Sequence, residues 1–128
     1  MKRRFRPGTD VWIASDSPSS SFSSIFEDDG KTAYFYAYDR ANPGSPILDA
    51  MHIYNANRVV DPDRQSEAEI RWSSDGLKAG LFINEYLHAV IDFENRKAYC
   101  RSEFPQAAGP WQAPKREQWN DSLVALFE

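Results

Sequence analysis

The stretch IFEDDGKTAYFYAYDR, residues 25–40, gathers the side chains with most potential for chemistry. Glu27, Asp28 and Asp29 stand directly before Gly30-Lys31-Thr32. A phosphate loop needs a further glycine five residues before its Gly-Lys-Thr, so that backbone N–H groups can wrap the phosphates, and it must run into a helix. Here that position is Ile25, and an alternating, strand-like segment follows. A calcium loop needs oxygen ligands at the first, third and fifth places before its glycine. Those places hold Ile25, Glu27 and Asp29, so the first ligand is missing. The stretch therefore reads as a hairpin corner, and neither a metal nor a cofactor is expected. On this reading Gly30 takes a positive φ, and Gly30→Ala costs roughly 1 kcal/mol. Neutralising Asp28 or Asp29 is expected to cost little, because it relieves carboxylate crowding.

The histidines offer less. His88 and Asp92 share one strand face, but four residues of strand span roughly 13 Å, so the two cannot hydrogen-bond along the strand. A nucleophile–base pair needs Cys100 or a serine brought to His52 or His88, and the alternation sets Cys100 on the face opposite His88. There is no Gly-x-Ser-x-Gly elbow and no His-x-x-x-His pair. No catalytic residue is assigned. Tyr34, Tyr36 and Tyr38 alternate on one face of a strand whose other face carries Ala33, Phe35 and Ala37. If Phe35 and its alanines face the core, the tyrosines point outward as a row. Such a row suits protein contact, since each ring offers area and a hydroxyl. His52 and Tyr54 alternate with Ala50 on the segment that follows, and they join the tyrosines as candidate binding residues. The competing arrangement is a second layer, such as a C-terminal helix, laid over the row.

The elements that would position these residues read as strands. Asp10–Ala14 is a first strand, and the Ser-rich segment 15–24 with Pro18 is a loop or an edge. Segments 22–27 and 32–38 flank Asp28-Asp29-Gly30, and 47–55 follows a Pro/Gly loop. Residues 60–65, with Asp61-Pro62-Asp63, form a turn. From 67 to 104 the segments EIRW, LKAGLFI, YLHAVIDF and AYCRSEF meet at tight turns, which excludes parallel crossovers. Two-residue turns would set Trp72 opposite Ala79, Ile70 opposite Leu81, Leu81 opposite His88 and Asp92 opposite Tyr99. Both faces of this meander are rich in apolar groups, so both should be covered. Trp119, Leu123, Leu126 and Phe127 form a helical stripe, with Pro114 suited to the first turn. The fold class expected is α+β, predominantly β: an antiparallel meander sheet of about six to seven strands with one C-terminal helix.

The 128 residues fit a single domain, 1–128, with 1–9 as a flexible basic tail. Apolar residues at 41% and charged residues at 27% describe a chain that can bury a core. The net charge is −4, and four of the 15 basic residues (Lys2, Arg3, Arg4 and Arg6) lie in the first six positions. The rest carries 11 basic against 19 acidic residues, which argues against nucleic acid as a partner and for a basic protein. A lone Cys100 excludes an internal disulfide. No apolar run reaches the ~20 residues of a membrane span and no leader is visible, so a cytoplasmic location is expected.

The segments IFEDDGKTAYFYAYD, ILDAMHIYN, IRWSSDGLKAGLFINEYLHAVIDF and AYCRSEFP resemble a family of small bacterial proteins of unknown function. In that family a vFEDDGeTgYfYA hairpin precedes a Leu-Asp-Ala-Leu-His-Ile-Tyr-Asn-like strand and a Leu-Phe-Ile-Asn-Gly-Tyr-x-His-Ala-like hairpin. The likeness spans residues 22–105 and implies no particular chemistry. The chain departs from it at Glu85, where Asn-Gly would be ideal. A non-glycine residue with positive φ costs on the order of 1 kcal/mol, which points to a longer turn there. The leading functional expectation is a non-catalytic protein-binding module, immunity-like or regulatory. The alternative is a small-molecule-binding protein or hydrolase using His52, His88 and nearby acids, which requires them to converge in one pocket.

Overall fold

The computed structural model describes residues 2–56, 65–101 and 119–128. The turn read at 60–65, apart from Gln65, and the helix start at Pro114 lie outside the described residues. The strands are β1 (Lys2–Phe5), β2 (Val11–Asp16), β3 (Phe22–Asp28), β4 (Thr32–Asp39), β5 (Ile47–Asn55), β6 (Ser66–Trp72), β7 (Lys78–Ile83), β8 (Tyr86–Asp92) and β9 (Lys97–Cys100). They form two antiparallel sheets, ordered β1-β6-β7-β8-β9 and β2-β3-β4-β5. The single meander of six to seven strands is thus corrected to two sheets. Alternation along a strand reports which residues share a face, but not which sheet the strand joins.

The two sheets share one core. Phe5, Ile70, Leu81, Ile91 and Cys100 from the five-stranded sheet meet Val11, Phe26, Phe35, Met51 and Ile53 from the four-stranded one. Aromatic pairs cross between them: Phe5 meets Phe26 edge-on at 5.4 Å, and Phe22 stacks on Phe93 at 4.5 Å. The Trp72 indole N–H donates to Ser15 Oγ at 3.0 Å, a second kind of tie between sheets.

The basic N-terminus is a strand and not the flexible tail expected for 1–9. Its cations lie beside acids across the ladder, Lys2 opposite Glu69 and Arg4 opposite Glu67. Lys2 also pairs with Glu85, and Arg3 donates to the Trp12 carbonyl. Phe5 inserts into the core. Cross-strand charge complementarity and one buried ring therefore hold a segment that composition alone marks as solvated.

Register departs from the expected pairings at two places. Trp72–Ala79 and Ile70–Leu81 pair as expected. Leu81, however, lies opposite Ala89, because a bulge at His88 adds a residue between the Leu81–Ala89 and Phe82–Leu87 pairs. The bulge moves Leu87 out of the inter-sheet core and beside Phe82 and Val90. Asp92 lies opposite Lys97 because the β8–β9 loop spans four residues, 93–96, and it is Val90 that meets Tyr99. The Asn84-Glu85 turn is a two-residue turn after all, with φ of 53° and 66°. Its strain coexists with the Lys2–Glu85 ion pair, while Asn84 Oδ1 accepts from the Glu67 N–H.

The C-terminus covers the outer face of the five-stranded sheet. Its helix, Asp121–Phe127, is 3-10 and not α, and Asn120 caps it by accepting from Ser122 N–H at 2.9 Å. Trp119, Leu123, Leu126 and Phe127, the expected stripe, do pack on Phe82, Leu87 and Val90. Gly80 makes room for them: a Cβ there would lie 2.8 Å from the Phe127 ring.

The serine-rich segment closes one end of the sandwich. Ser17 Oγ and Ser20 Oγ donate to the Gly76 carbonyl at 2.7 and 3.2 Å, and Ser19 Oγ donates to the Asp75 carbonyl at 3.0 Å. Three hydroxyls thus satisfy the carbonyls of the β6–β7 turn, where buried polar groups would otherwise lose hydrogen bonds. Gly76 has φ of 71°, and a Cβ on it would lie 2.0 Å from Ser19 Oγ and 2.6 Å from Ser17 Oγ. Gly76→Ala must displace both hydroxyls and hold a strained backbone. It should cost about 2–3 kcal/mol by urea denaturation, well beyond an ordinary surface change. An unchanged midpoint would contradict this docking of the serine loop.

Candidate functional site

Consecutive acids in the opening stretch go to three different environments. β3 alternates, so Glu27 faces outward and Asp28 inward, while Asp29 begins the turn. Asp28 is 1% exposed. Its Oδ1 accepts from Gly30 N–H at 2.8 Å, and its Oδ2 accepts from Gly8 N–H at 2.8 Å and from the Tyr54 hydroxyl at 2.5 Å. Asp29 Oδ1 accepts from the N–H groups of Lys31 and Thr32 at 2.9 and 2.8 Å. Those bonds, Thr32 first, hold the Asp29 carboxyl below its ordinary pKa. Gly30 has φ of 97°, as the hairpin corner requires.

The expectation that neutralising Asp28 is cheap therefore falls. It treated the three carboxylates as one exposed cluster, whereas one of them is buried against three donors.

Tyr54 also leaves the expected site. A bulge at Ile53 sits between the Ala33–Tyr54 and Tyr34–His52 pairs, and it turns Tyr54 inward toward Phe26 and Asp28. Burial, and then the bond to Asp28, push its hydroxyl pKa upward.

The outer face of the four-stranded sheet keeps the rest. Ala33, Phe35 and Ala37 are buried in the core, so Tyr34, Tyr36 and Tyr38 point outward and stay partly exposed. Tyr34 stacks near Tyr36 at 5.9 Å and lies tilted against His52 at 5.7 Å. The His52 Nε2 lies 3.0 Å from Asn55 Oδ1. The Tyr36 hydroxyl donates to Glu27 Oε1 at 2.8 Å, and burial together with that bond raises its pKa. Trp12, Ile25 and Ile47 complete the face. They line, with Tyr36 and Tyr38, an apolar depression of about 340 Å³. Trp12 is 52% exposed and Ile47 47% exposed. Trp12 also borders a second depression of about 380 Å³ along β2, shared with Arg3, Ser15, Asp16 and Ile70.

Sequence reasoning missed Trp12, Ile25, Glu27 and Ile47. The alternation of Trp12 with Val11 and Ile13 was a usable signal, since two apolar residues flanking an indole in a strand must face the other way. Ile47 had none: it reaches the outer face through a bulge at Leu48, between the Ala37–Asp49 and Tyr38–Ile47 pairs.

The histidines do not converge. His52 lies on the outer face of β5 and His88 at the β8 bulge, in different sheets, where His88 packs edge-on to Tyr86. Cys100 is buried in the inter-sheet core, with its Sγ 3.6 Å from the His52 carbonyl oxygen rather than its ring. Among the described residues no three His, Cys, Asp or Glu side chains gather as metal ligands would. No helix among them is long and apolar enough to cross a membrane.

Two variants test this geometry. Asp28→Asn leaves an NH₂ facing a fixed N–H in either amide orientation, and should cost about 2–3 kcal/mol in urea denaturation. Asp29→Asn should have a small effect. Equal midpoints for the two would refute the buried assignment. His88 supplies a pH test. Burial, and then the Arg101 charge, hold its pKa below the ordinary 6.5. The unfolded chain thus takes up the His88 proton more readily than the fold. Stability is full above that value and falls as pH drops from it toward the lowered folded value. Unfolding at about pH 7.5 and about pH 5.5 should show this loss, and His88→Gln should flatten it.

A family described as "Uncharacterized protein conserved in bacteria (DUF2251)" matches residues 5–128. An uncharacterized protein of Haemophilus influenzae is 41% identical over 85 residues, which cover 66% of this chain and 53% of that protein. The chain thus spans about half the length of the curated relative it matches. No solved structure matches.

Proposed function

The chain belongs to the DUF2251 family of proteins conserved in bacteria, and we propose that it is a non-catalytic protein-binding module whose contact surface is the outer face of the four-stranded sheet. One contrast carries the reading. The outer face of the five-stranded sheet is covered by the chain's own C-terminal segment. The outer face of the other keeps Trp12, Tyr34, Tyr36, Tyr38 and Ile47 at least partly in solvent. Tryptophan and tyrosine are the side chains that most often dominate binding energy, because each combines area with a polar handle at low entropic cost. The partner fitting this face is a basic protein. The chain carries a net charge of −4, and Glu27 and Asp16 lie on the same face as the aromatic rings. An acidic, aromatic surface favours a partner presenting cations among apolar groups.

The test is positional cross-linking in the source cell. A photoreactive residue at Tyr38 should capture a protein of net positive charge, and the same group at Glu67, exposed on the five-stranded sheet, should not. Tyr36→Ala should weaken the purified complex by about tenfold or more while shifting the unfolding midpoint little. Capture from Glu67 alone, or affinity indifferent to Tyr36→Ala, would overturn the reading.

A further inference from the structure

Glu27 is the carboxylate at the centre of the exposed aromatic face. On the outer side of the sheet its direct cross-strand neighbours are Trp12 on β2 and Tyr34 on β4. Tyr36, one step along β4, anchors Glu27 Oε1 through its hydroxyl at 2.8 Å. No lysine or arginine among the described residues forms an ion pair with Glu27. Among the described residues no donor reaches its second carboxylate oxygen, Oε2, which can take one from outside.

The protein already contains this set of groups with a cation in it. The Arg101 guanidinium lies 4.1 Å from the Tyr86 ring centroid and 4.4 Å from that of Trp119, and it reaches Asp121 at 3.4 Å. Its Nε donates to the Leu87 carbonyl at 3.0 Å. An indole, a phenol and a carboxylate thus hold one arginine on the covered sheet. Trp12, Tyr34 and Glu27 repeat those three groups on the four-stranded sheet, without an arginine among the described residues.

We propose that Trp12, Tyr34 and Glu27 form a subsite for an arginine side chain of the partner, with Tyr36 positioning the carboxylate. This rests on reading the outer face as the contact surface. A planar guanidinium stacks on aromatic faces and bonds a carboxylate edge-on, which an ammonium does less well. Trp12, half in solvent, is the open wall through which the side chain enters. The Tyr36 bond keeps the Glu27 carboxylate in one orientation before the arginine arrives, so less freedom is lost on binding.

The probe is the capped tripeptide acetyl-Gly-Arg-Gly-amide, compared with its lysine and glutamine counterparts. The readout is the indole N–H resonance of Trp12, identified by its loss in Trp12→Phe. The arginine peptide should shift it saturably, with a Kd of roughly 1–10 mM. The lysine peptide should bind more weakly, and the glutamine peptide should have no saturable effect. Glu27→Gln keeps the shape and an oxygen for Tyr36, so the fold persists while arginine affinity falls about tenfold. Tyr36→Phe frees the carboxylate, and arginine affinity should fall about threefold, less than for Glu27→Gln; an unchanged affinity would remove Tyr36 from the subsite. A shift shared by the glutamine peptide, indifference to Glu27→Gln, or lysine binding as well as arginine would each overturn the subsite. The two readings fail separately. If Tyr38 captures a basic protein whose affinity ignores Glu27→Gln, the face stands and the subsite falls. If the arginine peptide binds as stated but Tyr38 captures nothing, the subsite stands and the protein-contact reading falls.

Discussion

A single buried carboxylate ties together the places where this chain changes direction. Asp28 accepts from Gly8, Gly30 and Tyr54. Gly8 lies between β1 and β2, where the chain passes from the five-stranded to the four-stranded sheet. Gly30 is the β3–β4 corner, and Tyr54 stands near the end of β5. A carboxylate has only acceptor capacity, so three donors converging on it satisfy it without a counter-ion. Charge-assisted bonds of this kind are stronger than neutral ones and are costly to leave unmade inside a core. The sheet-to-sheet passage, the hairpin and the β5 bulge thus depend on one another. The bulge at Ile53 is what turns Tyr54 inward to reach Asp28, and the same bulge leaves His52 pointing out beside Tyr34.

How much of this was legible in the sequence follows from the range of each signal. The hairpin corner at Gly30 and the Trp72–Ala79 register were readable because turn chemistry and alternation act over a few residues. The direction of the tyrosine row followed once Phe35 and its alanines were known to face the core. Bulges were not readable. Each inserts one residue, and every face assignment beyond it reverses, as Tyr54 and Leu87 illustrate. The sheet partition was not readable either, because it depends on contacts such as Phe22 with Phe93 that are remote along the chain. The N-terminal strand carried a faint signal. Lys2 and Arg4 match Glu69 and Glu67 in spacing and opposite sign, but nothing local says that those segments meet.

The two outer faces differ in what the described residues lay over them. Phe127 needs the bare backbone of Gly80 beneath it, and Arg101 braces Trp119 against Tyr86. On the four-stranded sheet the corresponding surface has no glycine at its centre. It has Ile25 and Tyr36 as a directly opposed pair, which fill their own space and leave a shallow depression instead of a slot. Side chains that pack laterally against one another keep a flat face rigid without a cover. Rigid aromatic surface loses little entropy when a second surface meets it.

The acidic run Glu27-Asp28-Asp29 looked crowded only while it was read as a line. Strand geometry sends adjacent side chains to opposite faces, so Glu27 and Asp28 lie on either side of the sheet. Asp28 organises the inside through backbone and phenol donors, and Glu27 faces solvent among Trp12, Tyr34 and Tyr36. Asp29, past the end of the strand, spends its oxygen on the turn. The three carboxylates thus take three different sets of donors. The backbone of β3 is fixed here by the inward Asp28, and the Tyr36 hydroxyl holds the outward Glu27 carboxylate in one orientation.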